Sequence, residues 1–134
     1  EQEIRMASQF LQGQTLSHIE AVCETRDIDA MKKEVSQVCV RDSVLGYIED
    51  LIEATRAEQR FVLGASPRAM LALVCASQAK AFLQTRDYVK PDDVKAVAMQ
   101  VLGHRLVLSP EAKIHREDRD KILKSLVLKI KIPV

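Results

Sequence analysis

Aromatic side chains and chain-breaking residues are scarce in this chain. Its 134 residues include no tryptophan, and phenylalanine, tyrosine and tryptophan together make up only 4%. Glycine and proline number four each, so few residues favour turns, whereas the many alanine, leucine, lysine and glutamate residues favour helix. Internal repeats and low-complexity linkers are absent from the sequence. We therefore expect an all-α fold, a small helical bundle that forms a single domain over residues 1–134.

Neither one sign of charge nor a long apolar run dominates the sequence. Lysine and arginine number 20 and aspartate and glutamate 19, which gives a formal net charge of +1. That balance is a poor signature of binding to nucleic acid or to an anionic membrane surface. No apolar run approaches the roughly 20 residues that a helix needs to span a bilayer. We expect neither nucleic acid nor a membrane among the partners.

The three cysteines match no metal-binding pattern. Cys23, Cys39 and Cys75 are too widely spaced for a C-x-x-C clip, and an odd number cannot pair fully within one chain. Each lies in an apolar or helical stretch, where a free cysteine behaves as a small hydrophobic residue. We expect buried thiols, no metal site and a reducing, cytoplasmic location.

The histidines and the loop motifs give no signature of a stand-alone enzyme. His18, His104 and His115 lie far apart in the sequence, and none belongs to a two-ligand helix motif such as H-E-x-x-H. The nucleophile elbow G-x-S-x-G, the phosphate loop GxxxxGK[ST] and the fingerprint GxGxxG are all missing. We expect no catalysis by the chain alone.

Two short segments alternate in the way that strands do. Residues 35–40 read VSQVCV, and residues 128–132 read LKIKI. This period of two is typical of a half-buried strand. A short two-stranded β-ribbon that pairs these two segments is an expected addition to the bundle, and it would have to rest on the helices because an isolated ribbon is weak.

The segment LGASPRA combines a helix start with a cation. Gly64 permits an unusual turn, and Ser66 followed by Pro67 is typical of the first positions of a helix. Arg68 then falls in the first turn, where a cation opposes the helix dipole. The same helix end suits a phosphate, and arginine offers a fork of donors to phosphate oxygens. Alternatively, Arg68 reaches an acidic neighbour such as Glu58 or packs along the surface.

Several motifs, taken in order, resemble the C-terminal helical lid of MoxR-type AAA+ ATPases. The resemblance covers roughly residues 25–134 well and residues 1–24 only loosely, so the latter either begin the lid or connect it to a preceding domain. The motifs are YIEDLIEATR (Tyr47–Arg56), GASPRA (Gly64–Ala69), RDYVKPDDV (Arg86–Val94), VLGHRL (Val101–Leu106) and LSPEA (Leu108–Ala112). Linked motifs in the right order are far more specific than any one of them.

The resemblance implies a lid that packs beside a nucleotide held by an α/β domain of the same protein. In the family, a second-sensor arginine on the lid reaches the γ-phosphate of ATP. That arginine maps onto Arg68, and Gly64, Ser66 and Pro67 would set the geometry of its helix start. ATP and Mg²⁺ are thus expected in a full-length ATPase, and neither is expected on the isolated lid.

The resemblance also implies an assembly. Family members are usually ring hexamers and chaperone-like remodellers, so the expected partners are the nucleotide-binding domain, neighbouring subunits and proteins with von Willebrand A-type domains. The alternative is a helical protein-interaction or DNA-binding module without a nucleotide role. Arg56, His104 and Arg105 recur in the resemblance, and packing and domain contact both stay open as their roles.

Two features depart from the family pattern. The phosphate loop is missing, so the chain looks like a lid without its ATPase domain. Thr85 also stands where the family commonly has glycine, just before Arg86-Asp87-Tyr88. Because glycine is the easiest residue for a left-handed helix cap, Thr85 bears on the shape of that cap and not on the phosphate contact.

Overall fold

A computed structural model describes residues 1–11, 13 and 20–132. Within these ranges the chain forms mainly helices, which confirms the expected fold class. The helices are α1 (Gln2–Leu11), α2 (Thr25–Gln37), α3 (Asp42–Ala57), α4 (Pro67–Phe82), α5 (Pro91–Leu102), α6 (Pro110–Ile114) and α7 (Arg119–Lys129). Two short strands, β1 (Phe61–Leu63) and β2 (Val107–Leu108), and a 3-10 turn at Gly103–Arg105 complete the fold. His18 lies outside the described residues.

The chain divides into two compact units, Glu1–Met31 and Lys32–Val134. The first unit contains the amphipathic helix α1, and the described residue Gly13 beyond it has a left-handed φ of +69°. The second unit contains the hydrophobic core. A single domain over all 134 residues stays a prediction. Among the described residues, no helix is both long and apolar enough to cross a membrane.

Helix α3 lies at the centre of the second unit. It contacts α4, α5, α7 and β1. Its inner face is apolar at helical spacing, and its buried members are Val44, Tyr47, Ile48, Leu51, Ile52 and Thr55. Helices α5 and α7 present matching apolar faces, which include the fully buried Val94, Ala98, Leu102 and Leu123. Because the inner face of α3 is buried as far as Thr55, the C-terminal turn of α3 is held rigidly against the neighbouring elements.

The expected burial of the cysteines is wrong. Cys23, Cys39 and Cys75 are all exposed. The buried residues of α4 follow one i, i+4 row, Ala69, Leu73, Ser77 and Ala81. Cys75 lies two residues from Leu73, which turns it to the opposite side of the helix.

The β-ribbon exists, but the predicted segments do not form it. Strand β1 pairs antiparallel with β2, with Phe61 opposite Leu108 and Leu63 opposite Val107. Residues 35–37 form the last turn of α2, and residues 128–129 form the last turn of α7. The alternation at 128–132 does not set the structure there, because α7 already buries Ile122, Leu123, Leu126 and Val127 and simply continues.

A left-handed threonine ends helix α4. Thr85 has a φ of +55°. Its N–H donates to the carbonyl of Phe82 at 2.8 Å, and the N–H of Arg86 donates to the carbonyl of Ala81 at 3.1 Å. This pair of bonds defines a Schellman motif. The chain therefore keeps a left-handed cap at this position although it lacks the glycine that adopts it most easily.

Replacing Thr85 with glycine is expected to stabilise the protein. A left-handed conformation costs a residue with a Cβ about 1–2 kcal/mol, and part of that gain is lost to the greater freedom of glycine in the unfolded chain. We expect a net gain of about 0.5–1 kcal/mol in the free energy of unfolding, measured by urea denaturation. Thr85→Ala keeps the Cβ and is the control. Equal stability of Thr85→Gly and Thr85→Ala would contradict this account.

A buried ion pair closes the loop between α4 and α5. Arg86 donates to both carboxylate oxygens of Asp93, at 2.6 and 2.8 Å, and the N–H of Lys90 donates to the same carboxylate at 2.8 Å. Burial alone would raise the pKa of Asp93, but these bonds outweigh it and hold that pKa below its ordinary value. The motif RDYVKPDDV therefore has a structural role at its first and penultimate residues.

Candidate functional site

A groove of about 710 Å³ lies beside the start of helix α4. It brings together three arginines that come from separate elements: the last turn of α3, the first turn of α4 and the 3-10 turn. Its lining residues are Arg56, Leu63, Gly64, Ala65, Ser66, Pro67, Arg68 and Arg105. No carboxylate is among them. This cavity, called the arginine groove below, contains every predicted site residue.

The start of α4 is capped as predicted. Ser66 lies at the N-cap in an extended conformation, and its hydroxyl accepts from the N–H of Ala69 at 3.2 Å. Pro67 follows at the first helical position, where its missing N–H costs nothing. These two residues define where the 16-residue helix begins, and so fix the position of Arg68 in its first turn.

Gly64 lets the loop before α4 cross the backbone of α3 at contact distance. A Cβ placed on Gly64 would lie 2.6 Å from the Cα of Arg56, 2.7 Å from its N and 2.8 Å from the carbonyl carbon of Thr55. Real Cβ atoms do not approach backbone this closely. The glycine is therefore required by the proximity of α3 and not by an unusual φ.

Two consecutive side chains of α3 hold the next residue of the loop, Ala65. Its N–H donates to the hydroxyl of Thr55 at 3.0 Å, and its carbonyl accepts from Nε of Arg56 at 2.9 Å. Arg56 also contacts Glu53 at 2.5 Å. Ala65 and Thr55 are both buried. The last turn of α3 thus satisfies both backbone polar groups of the residue that precedes the cap of α4.

Arg68 is exposed, and in the described parts of the chain its side chain has no hydrogen bond or ion pair. The alternative contact with Glu58 is not formed. Glu58 instead accepts two bonds of 2.8 Å from Arg60, and the hydrogen bonds from Arg60 lower the pKa of Glu58. A cation in the first turn of a helix also gains nothing from the dipole. Neither a contact among the described residues nor the helix dipole therefore explains an arginine at position 68.

The side chains of His104 and Arg105 lie in different environments. His104 is exposed, and its Nδ1 lies 3.1 Å from the carbonyl of Gln100. Arg105 is half-buried, donates to the carbonyl of Val101 and lines the arginine groove. Sequence reasoning left Arg56 and Arg105 without a site role. Their recurrence in the resemblance was the available signal, but only the fold shows that they meet beside Arg68.

Comparison with known families gives one match that covers more than half of the chain. The model of the AAA lid domain matches residues 53–126. The matched range begins in the second half of α3 and ends in α7. It contains all of the arginine groove.

Two curated bacterial proteins are similar to the chain over nearly its whole length. YeaC of Bacillus subtilis is 35% identical over 133 residues, which is 99% of this chain and 42% of YeaC. Chaperone MoxR1 of Mycobacterium tuberculosis is 26% identical over 133 residues, which is 92% of this chain and 35% of that protein. The chain thus spans less than half the length of these relatives.

A solved structure is similar in both fold and sequence. It is a crystal structure of a protein from Cytophaga hutchinsonii that is assigned as an ATPase. The TM-score is 0.75 and the identity 33%, over 80% of this chain and 35% of that one. The helical architecture described above is therefore shared with a part of a longer protein.

Proposed function

The chain belongs to the AAA lid domain family, as the C-terminal lid of a MoxR-type AAA+ ATPase, and we propose that Arg68 is its second-sensor arginine. In this role the guanidinium reaches the γ-phosphate of ATP that a separate nucleotide-binding domain holds. The observation that carries the proposal is the position of Arg68: exposed in the first turn of α4, on a groove with two further arginines, and without a partner among the described residues.

The groove fits a polyphosphate on chemical grounds. Its cations are guanidinium groups, which bind phosphate oxygens through paired donors. The first turn of α4 adds the positive end of the helix dipole, although Pro67 has no N–H and the N–H groups of Ala69 and Met70 already donate to Ser66. No carboxylate lines the groove, and the carboxylate of Glu53 beside it is already paired with Arg56, so the metal would belong to the other domain.

The proposed contribution of Arg68 is electrostatic. ATP bound with Mg²⁺ supplies the phosphoryl group, and negative charge is spread over its oxygens during transfer. A guanidinium held at the right place stabilises that charge without reorganisation. Gly64, Ser66 and Pro67 contribute by fixing the helix start that carries Arg68. The lid is not catalytic alone; the enzyme would be the full-length protein, an ATP hydrolase.

The wider role follows from the family. We propose a cytoplasmic ring, a hexamer, in which the lid contacts the nucleotide-binding domain of its own chain and a neighbouring subunit. Hinge motion of the lid would couple the nucleotide state to the neighbour. A chaperone-like activity on partner proteins is supported by the name of the similar Chaperone MoxR1, and von Willebrand A-domain proteins are proposed as clients.

The direct test replaces Arg68 with alanine in the full-length ATPase. Removing one charge-stabilising donor of this kind costs about 10²-fold in turnover, so we expect steady-state ATP hydrolysis to fall by about that factor. Arg68→Lys keeps the charge but not the fork of donors. Its rate of ATP hydrolysis should therefore lie between those of wild type and Arg68→Ala. In the isolated lid, the free energy of unfolding of Arg68→Ala should lie within about 0.5 kcal/mol of the wild-type value, because Arg68 is exposed and has no partner among the described residues.

The matched control is Arg41→Ala. Arg41 is also an exposed arginine at the start of a 16-residue helix, α3, but it does not line the arginine groove. Its replacement should leave hydrolysis close to wild type. Equal hydrolysis by Arg68→Ala and wild type would contradict the proposal, and salt-dependent binding of duplex DNA tighter than the non-specific range would favour the alternative DNA-binding role.

A further inference from the structure

We propose that Thr55 and Arg56 are positioning residues for Arg68, acting through the backbone of Ala65. The inference rests on the proposed function, since it concerns how the second-sensor arginine is held. It assigns a role to the end of the YIEDLIEATR motif, whose last two residues have no other evident task. Neither residue is required to touch the phosphate in this account.

The anchor consists of three contacts to two successive loop residues. The hydroxyl of Thr55 accepts from the N–H of Ala65 at 3.0 Å, and Nε of Arg56 donates to the carbonyl of Ala65 at 2.9 Å. Gly64, one residue earlier, lies against the backbone of Thr55 and Arg56 so closely that no Cβ fits between them. The loop can therefore neither rotate about Ala65 nor lift away from α3 without breaking one of these contacts.

The Thr55 hydroxyl is itself held in place. It donates to the carbonyl of Ile52 at 2.6 Å, which leaves an oxygen lone pair aimed at the N–H of Ala65. Thr55 and Ala65 are 0% and 1% exposed, so water cannot replace either bond. The two hydrogen bonds give the hydroxyl one orientation. The position of the α3 backbone therefore determines the position of the loop at Ala65.

The anchor is only three residues from the functional cation. Ala65 is followed by Ser66, the N-cap of α4, and then by Pro67 and Arg68. Ala69, on the other side of Arg68, is fully buried. The backbone of Arg68 is therefore fixed on both sides, while its side chain has no polar partner in the part of the chain that the structure describes. This arrangement preorganises a guanidinium for a ligand.

Thr55 gives the cleaner test of the two residues. Arg56 lines the same groove as Arg68, so a loss of activity on its replacement could also come from a lost phosphate contact. Thr55 is uncharged and inaccessible, so it can act on a nucleotide only through the loop. Thr55→Val keeps the shape and removes the acceptor for the N–H of Ala65, whereas Thr55→Ser keeps the hydroxyl.

The experiment is a double-mutant cycle on ATP hydrolysis by the full-length protein, at a temperature well below the unfolding transition of every variant. We expect Thr55→Val to lower kcat about tenfold, because a small misplacement of a catalytic group costs this much or more. Thr55→Ser should restore turnover close to wild type. In an Arg68→Ala background, Thr55→Val should change kcat by less than about twofold, because the group that it positions is gone.

The outcomes separate this inference from the proposed function. If Arg68→Ala itself leaves turnover unchanged, the proposed function fails, and the inference fails with it. If Arg68→Ala lowers turnover but Thr55→Val does not, or if the two losses multiply in the double mutant, the inference alone is overturned. Should Thr55→Val fail to fold, Arg56→Lys replaces it in the same cycle, because lysine keeps the charge but cannot hold both Ala65 and Glu53 as the guanidinium does.

Discussion

Gly64→Ala is expected to destabilise the 134-residue chain by about 3 kcal/mol, at the upper end of the cost of overpacking. The new Cβ would meet three backbone atoms of α3 at 2.6–2.8 Å. Helix backbone cannot retreat as a flexible side chain would, so the loop before α4 must move and lose its bonds to Thr55 and Arg56. Urea denaturation followed by circular dichroism measures the change.

The chain supplies a control of opposite sign, Gly46→Ala. Gly46 lies inside helix α3, and apart from its chain neighbours and the backbone of its own helix, a Cβ there would meet no atom of the described residues within 4 Å. Alanine in a helix interior is better than glycine by roughly 0.5–1 kcal/mol, so this variant should be more stable than wild type. If Gly64→Ala and Gly46→Ala change the free energy of unfolding in the same direction, the account of Gly64 is contradicted.

Asp93→Asn is expected to cost about 2 kcal/mol at neutral pH, because hydrogen bonds to a charged group are worth more than neutral ones. The variant keeps the size of the side chain but removes the charge that faces Arg86 and turns one acceptor into a donor. It leaves the guanidinium without its carboxylate partner. The free energy of unfolding at pH 7, from urea denaturation, is the quantity to compare with wild type.

The same variant has a defined pH dependence. The pKa of Asp93 is lowered in the folded state from an ordinary value of 3.8. Its contribution is therefore complete above that value and is lost as the pH falls through the lower, folded-state pKa. The difference between wild type and Asp93→Asn should be constant near neutrality and shrink in acid. Asp92→Asn is the control, since Asp92 is 85% exposed and 3.7 Å from Lys95, and a difference that grows in acid would contradict the assignment.

Composition and capping residues were sufficient to predict the fold class and one helix start. The scarcity of glycine and proline indicates an all-α fold, and Ser66-Pro67 marks the start of α4. The ribbon could not be predicted, because strand pairing depends on which segments the packed helices leave side by side. Alternation at residues 128–132 competed with a helix that was already anchored by four apolar residues, and tertiary packing decided the outcome.

The candidate site was predictable in part. The motif GASPRA located Arg68 and its helix start, since cap residues act locally. The resemblance also explains why Thr85 adopts a positive φ where glycine is usual. The contact of Gly64 with α3, and the convergence of Arg56 and Arg105 on the same groove, join residues that are 8 to 49 positions apart. Such proximity is set by the three-dimensional packing of α3, which no local pattern encodes.

The most direct test of the central claim is a crystal structure of the full-length ATPase with Mg²⁺ and a non-hydrolysable ATP analogue. The distance to measure joins the guanidinium nitrogens of Arg68 to the oxygens of the γ-phosphate. We predict at least one distance of about 2.7–2.9 Å, the range of charge-assisted hydrogen bonds, with Ala65 still bound to Thr55 and Arg56. An Arg68 side chain that stays in solvent or pairs with a carboxylate, while the nucleotide is fully bound, would contradict the claim.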